Sequence, residues 1–152
     1  FSFQNLNSYD EKLVDYFVKK WENKISEFTF FGMDRNHNVV EHSIQNSKRA
    51  GIDDISNFKA QSIEKLSRPK GPEGLVIVNP PYGSRIGKKK DLFSLYRTFG
   101  EKMKNEFSGW RVGMITSDNA LAQSTKLPLI SSELAISNGG LKIHLYRTET
   151  LA

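Results

Sequence analysis

An apolar run that stops on two consecutive prolines leaves a chain few ways to fold. Leu75-Val76-Ile77-Val78 is such a run, and Asn79-Pro80-Pro81-Tyr82-Gly83 follows it without a break. Branched aliphatic residues in a row read as a buried strand. Proline lacks an N–H and fixes φ, and the residue before it is pushed into extended backbone, so the strand's ladder ends there in a stiff turn. The strand therefore presents an amide, two prolines and an aromatic ring at its carboxyl end, where open α/β sheets bind ligands. The Asn79 side-chain oxygen accepts a hydrogen bond from an amino group. The stiff turn leaves the carbonyls of Asn79 and Pro80 free to point outward, and Tyr82 offers a flat face for stacking. Acceptors beside a stacking face fit a planar ring that carries an exocyclic amino group, such as a nucleobase. The competing reading is a proline-rich turn that only closes a strand.

The chain around this stretch alternates between the two periods of an α/β domain. Ser8 and Asp10 offer N-caps, and Leu13, Val14, Phe17, Val18, Trp21 and Ile25 recur at helical spacing, which predicts a helix over Tyr9–Asn23 with Phe17 and Trp21 in the core. Glu27 to Met33 is aromatic and reads as a strand ending at Asp34. A helix follows over Asn36–Ala50, with Val39, Val40, Ile44 and Ser47 inward and Gly51 as its C-cap. Ile55–Ala60 is a short strand, and Arg68 to Gly74 a turn-rich loop. Beyond the tetrad, Asp91 is placed to cap a helix whose stripe is Leu92, Leu95, Phe99, Met103 and Phe107, ended by Gly109. Arg111–Thr116 is another strand. Glu133–Ser137 and Leu141–Tyr146 alternate around Asn138-Gly139-Gly140, a hairpin signal.

Length and composition bound the rest. The 152 residues suit one domain, and ten Phe, five Tyr and two Trp supply core bulk. With no Cys, disulfides and thiolate metal sites are excluded. His37, His42 and His144 show no ligand spacing. No apolar run approaches membrane-spanning length and no signal peptide is visible, so a soluble, cytoplasmic chain without membrane contact is expected. The net charge of +5 is consistent with a polyanionic partner. Arg85, Lys88, Lys89 and Lys90 concentrate that charge in a loop directly after the tetrad; the readings are RNA phosphate contact or a solvated loop.

Asn79-Pro80-Pro81-Tyr82 resembles motif IV of the S-adenosylmethionine-dependent amino-methyltransferases. The longer stretch from Gly71 to Gly83 is similar to the THUMP-linked RNA methylases (UPF0020-like), in particular the bacterial enzymes that methylate guanine N2 in large-subunit ribosomal RNA. The segments Leu95-Tyr96, Gly100 to Lys104 and Phe107 to Trp110, and the turn Asn138-Gly139, extend the resemblance over most of the chain. It implies a Rossmann-like class I methyltransferase sheet that ends in an antiparallel hairpin. It also implies S-adenosyl-L-methionine as cofactor, 23S ribosomal RNA as partner, and catalytic roles for Asn79, Pro80, Pro81 and Tyr82. Asp34 would accept hydrogen bonds from both ribose hydroxyls of the cofactor, for which a carboxylate is suited; its other reading is a helix N-cap. Ser62 stands where the family places an acidic residue against the cofactor's adenine, a departure that leaves a plain loop residue as the alternative. Asn79 would also border the cofactor.

The resemblance further implies an absence. The family's strand order is 3-2-1-4-5-7-6, and its first strand ends in a glycine-rich loop around the cofactor's methionine part. The chain has no such loop and no G-x-G, so residues 1–152 are expected to be the C-terminal part of a catalytic domain. A preceding segment or a second chain would then supply the first strand. Weak or no cofactor binding by the chain alone is expected, because unpaired edges would lie mid-sheet. Two other readings stand beside the guanine-N2 enzyme: methylation of adenine in DNA, since the tetrad is shared, and a non-catalytic RNA-binding or interaction fragment.

Overall fold

A computed structural model describes residues 2–21, 27–82, 89–138 and 140–152. After a 3-10 turn at Ser2–Asn5 come helix α1 (Glu11–Trp21), strand β1 (Phe30–Asp34), helix α2 (His37–Ala50) and strand β2 (Ser56–Ala60). A 3-10 turn at Ile63–Lys65 leads to strand β3 (Leu75–Val78), helix α3 (Lys89–Glu106), strand β4 (Arg111–Thr116), helix α4 (Asn119–Ser124) and the hairpin β5 (Ile130–Asn138) and β6 (Leu141–Arg147). β1 and β2 pair in parallel. A second sheet has the order β3-β4-β6-β5, parallel at β3–β4 and antiparallel in the hairpin. This is the expected α/β class. The six strands keep the expected neighbours, with β1 and β3 not paired to each other.

Local chemistry explains the element ends. Asp10 Oδ1 accepts from the N–H of Lys12 at 2.9 Å and of Leu13 at 3.3 Å, capping α1. Asn36 caps α2 by accepting from the Asn38 N–H. Gly51 closes α2 at φ 63°, donating to the Lys48 and Ser47 carbonyls, a left-handed position that glycine adopts without penalty. Asp91 is not the cap of α3; the helix starts at Lys89 and Asp91 lies in its first turn, where a carboxylate favours the positive end of the helix dipole.

The core lies on one face of the four-stranded sheet. Val112, Met114 and Thr116 of β4 point to α3 and α4, and all three are essentially inaccessible. The α3 stripe that meets them is Leu92, Tyr96, Phe99 and Met103, continued by Phe107 past the helix end. Tyr96 therefore holds the buried place expected of Leu95, which is half-buried. The spacing 92, 96, 99, 103 follows the 3.6 period more closely than one through 95. The segment after β2 joins this core through Ile63 and Leu66.

Three expectations of burial fail, each for the same physical reason: no element among the described residues covers the surface concerned. β3 is buried on one side only, with Leu75 49% and Ile77 71% exposed. Val39 of α2 faces solvent while Val40 and Ser47 are buried. Phe17 of α1 is exposed, with Leu13, Tyr16 and Val18; the Trp21 side chain lies outside the described residues.

Candidate functional site

Strand β3 delivers Asn79-Pro80-Pro81-Tyr82 to the carboxyl end of the sheet, as its sequence requires. The strand's approach is fixed by side chains. Arg68 reaches the Gly71 carbonyl at 3.3 Å and the Glu73 carboxylate at 3.5 Å, and its guanidinium lies 6.0 Å from the Trp110 ring centre. A Cβ on Gly74 would meet the Trp110 ring at 2.8 Å, so only glycine lets the chain enter β3 beneath that ring.

Within the tetrad, Asn79 is exposed, and Pro80, Pro81 and Tyr82 are half-buried. Tyr82 packs on the cluster of Leu92, Tyr96, Met114, Leu121, Ala122 and Tyr146. This contact anchors the ring and sets which part of it remains accessible. The Pro81 carbonyl accepts from the Tyr96 hydroxyl at 3.3 Å. That hydroxyl also lies 3.3 Å from Thr116 Oγ1 at the end of β4. Burial raises the Tyr96 phenol above its usual 10.0, opposed by its hydrogen bond with Thr116. Thr116 Oγ1 accepts in turn from the Asp118 N–H at 3.2 Å, and Asp118 caps α4 through the Leu121 N–H.

Asp34 sits at the carboxyl end of β1, exposed. Its Oδ1 accepts from the Asn36 N–H at 2.7 Å. It is not the N-cap of α2; Asn36 holds that role, two residues on. The carboxylate keeps further lone pairs for other donors. The adjoining backbone is held by the Gln61 N–H, which donates to the Asp34 carbonyl at 2.9 Å. Ser62 precedes the 3-10 turn without capping it. Its hydroxyl instead donates to Glu64 and holds that carboxyl below the usual carboxylate range. Glu64 is thus an acidic group beside the serine that departs from the family pattern, and it carries a signal only in retrospect: an acid two residues from the expected one.

Of the basic loop, Arg85 and Lys88 lie outside the described residues, and Lys89 opens α3. Lys90 is exposed and borders a shallow open groove with Phe93, Ser94 and Arg97. Arg97 and the Tyr96–Thr116 pair were invisible to motif reasoning. Their signal is periodic: one turn separates Phe93 from Arg97, and Tyr96 falls on the apolar stripe. Among the described residues no group of His, Asp and Glu is placed to hold a metal, and no helix is long and apolar enough to cross a membrane.

A parallel strand pair beside a mixed four-stranded sheet that ends in an antiparallel hairpin is the arrangement of the Rossmann-like methyltransferase class. Residues 5–146 match the family model described as UPF0020, RMKL-like, methyltransferase domain, and the chain belongs to that family. It is 32% identical over 93% of its length to the ribosomal RNA large subunit methyltransferase K/L of Shewanella amazonensis. It spans about a fifth of the length of that curated relative, 21%. Among solved structures, SMU.472 in complex with SAH is similar in fold, with a TM-score of 0.74, 24% identity, all of this chain and 40% of that chain covered. A predicted N6-adenine-specific DNA methylase from Listeria monocytogenes is similar with a TM-score of 0.60 and 25% identity over 79% of this chain and 30% of that one.

Proposed function

We propose that this chain forms the amino-group-recognising part of an S-adenosylmethionine-dependent RNA methyltransferase that modifies guanine N2 in 23S ribosomal RNA. The observation that carries the reading is the tetrad at the carboxyl end of β3, exposed at Asn79 and anchored at Pro81 and Tyr82. The similarity to a large-subunit ribosomal RNA methyltransferase supports the RNA substrate.

In this reading the target base leaves its helix and is gripped by its edge. Asn79 Oδ1 and the Pro80 carbonyl accept from the two amino hydrogens, and Tyr82 stacks on the ring. Holding both hydrogens orients the nitrogen lone pair along the line of attack, so the step is mainly positioning. The same acceptors stabilise the positive charge that grows on nitrogen. Bound S-adenosylmethionine would supply an electrophilic sulfonium methyl group; Asn79 and the Pro80 carbonyl would hold the amino nitrogen toward it, and the amine proton would leave to solvent after transfer. No strong general base is needed.

Asp34 fits a cofactor's ribose, since it is an exposed carboxylate at a strand's carboxyl end with lone pairs to spare. Ser62 and Glu64 border the adenine in this reading, and Asn79 the reacting end. Arg85, Lys88, Lys89 and Lys90 meet RNA phosphates, with Arg97 extending the charge along α3. Residues 1–152 serve as the C-terminal part of the catalytic domain, and a further parallel strand, from a preceding segment or a second chain, docks between β1 and β3. Among the described residues each of these strands has one neighbour only, and their exposed Phe30, Phe31, Met33, Leu75 and Ile77 support such a docking.

The test is transfer of a labelled methyl group by the intact enzyme to 23S ribosomal RNA and to DNA. Transfer to RNA is expected, with Asn79→Ala abolishing turnover and having a smaller effect on cofactor affinity. Transfer to DNA alone would establish the adenine reading that the Listeria likeness favours. Salt-dependent RNA binding without transfer would establish a binding role instead.

A further inference from the structure

The tetrad's stiffness has a gap. A proline ring fixes φ and leaves ψ free. The ψ of Pro81 decides where the Tyr82 ring and the Pro81 carbonyl point, and no ladder partner is available to a residue past the end of β3. The structure supplies a hydrogen bond at this point. Tyr96, 1% exposed on α3, brings its hydroxyl to 3.3 Å from the Pro81 carbonyl oxygen.

The proton count orders the contacts. A carbonyl only accepts, so the single Tyr96 proton goes to Pro81. The Thr116 hydroxyl, 3.3 Å from the Tyr96 oxygen, then donates to it, and Thr116 accepts from the Asp118 N–H. Every member is satisfied: Asp118 N–H to Thr116, Thr116 to Tyr96, Tyr96 to Pro81. Such a chain is built only from hydroxyl-bearing side chains. Packing alone calls for Leu or Phe on this stripe, because burying an unpaired hydroxyl is costly. The buried polar pair therefore serves the carbonyl it reaches.

We propose that Tyr96 is a positioning residue which, backed by Thr116, sets the conformation of the methyl-acceptor tetrad through the Pro81 carbonyl. The functional half of this inference rests on the tetrad reading above. The bond itself stands on geometry and is tested separately.

Pro81-Tyr82 is the only Pro-Tyr step in the sequence. Labelling proline with carbonyl ¹³C and tyrosine with ¹⁵N thus gives one carbonyl–amide NMR cross-peak that reports this peptide alone. Tyr96→Phe keeps the ring and its packing. It is expected to move that peak upfield in carbon, the direction for a carbonyl losing a donor, while the thermal midpoint stays within a few degrees. Thr116→Val, which removes the backing donor, is expected to move it the same way by less; it also covers the case in which Tyr96→Phe fails to fold. In the intact enzyme, Tyr96→Phe is expected to lower kcat by about threefold to tenfold, the range for one lost hydrogen bond, with the KM for cofactor within twofold. A peak unmoved in Tyr96→Phe overturns the proposal. So does an unchanged kcat for Tyr96→Phe where Asn79→Ala abolishes turnover. If Asn79→Ala also leaves turnover intact, the tetrad reading is what fails, and the peak still decides the bond.

Discussion

Gly100→Ala tests how tightly the helical layer is fixed. Gly100 is buried on α3 where it crosses α4. A Cβ built there overlaps the Thr125 carbonyl oxygen and lies 2.6 Å from its carbon and 2.8 Å from its Cα. An ordinary C···O contact begins near ~3.3 Å, so α4 must retreat by more than an ångström. The obstacle is backbone, and no rotamer change relieves it. Thr125 is also tied down: its N–H and its hydroxyl both donate to the Ala122 carbonyl, and its Oγ1 accepts from Leu127. Against this stands the helix propensity gained on replacing glycine, about 1 kcal/mol. Overpacking of this kind costs about 1–3 kcal/mol and sometimes more; with backbone as the obstacle the upper end applies, for a net loss of about 2 kcal/mol. That corresponds to a fall in thermal midpoint of about 4–8 °C. Urea unfolding followed by tryptophan fluorescence is a suitable assay, since Trp110 lies in the core at 8% exposure. Gly113→Ala is the control: nothing lies within 4 Å of its Cβ position, and alanine is the better strand residue, so stability is expected to hold or rise slightly. A Gly100→Ala midpoint at or above that of the parent chain would refute the packing argument.

Asn36→Ala removes the side chain that accepts from Asn38 and is expected to cost about 1 kcal/mol, read as faster amide exchange in the first turn of α2. Alkaline stability should fall for a defined reason. Burial is the largest cause of the raised phenol values of Tyr96 and Tyr146. Their folded forms hold the proton when the unfolded chain releases it, so stability is complete below the ordinary value of 10.0 and declines as pH rises above it. The decline in a pH titration of the urea midpoint is expected to be shallower in Tyr96→Phe; an identical slope would remove Tyr96 as a contributor.

The elements were legible where one period dominated. Val76 and Val78 against the prolines located β3, and the caps at Asp10 and Gly51 needed only local rules. What stayed hidden is tertiary. Whether Leu75 and Ile77 are buried depends on what lies across the sheet, and a continuous aliphatic run carries no trace of that. Tyr96 was hidden by a register choice of one residue, between 95 and 96, because both are large and largely apolar. Asp34 illustrates a third limit. A carboxylate after a strand and before a helix reads as an N-cap, and the geometry passes that task to Asn36, leaving the Asp34 side chain facing solvent.

The two halves of the proposed site differ in what holds them. The tetrad is supported from the covered face: Tyr82 by the cluster of Leu92, Tyr96, Met114, Leu121, Ala122 and Tyr146, and Pro81 by the Tyr96 hydroxyl. All of those contacts lie within the four-stranded sheet and the helices α3 and α4 that cover it. The sequence separations of the hydrogen-bonded pairs are short, 15 residues for Tyr96–Pro81 and 20 for Tyr96–Thr116. The acceptor geometry therefore forms without help from β1. Asp34 is different. Among the described residues its strand pairs only with β2, and its aromatic neighbours Phe30 and Phe31 are 55% and 44% exposed. No strand among the described residues joins β1 to β3, so nothing in the sheet ties its position to that of Asn79. In the proposed reading, base recognition and cofactor alignment thus rest on separate supports, and a strand docked between β1 and β3 would act on the second while leaving the first as it stands.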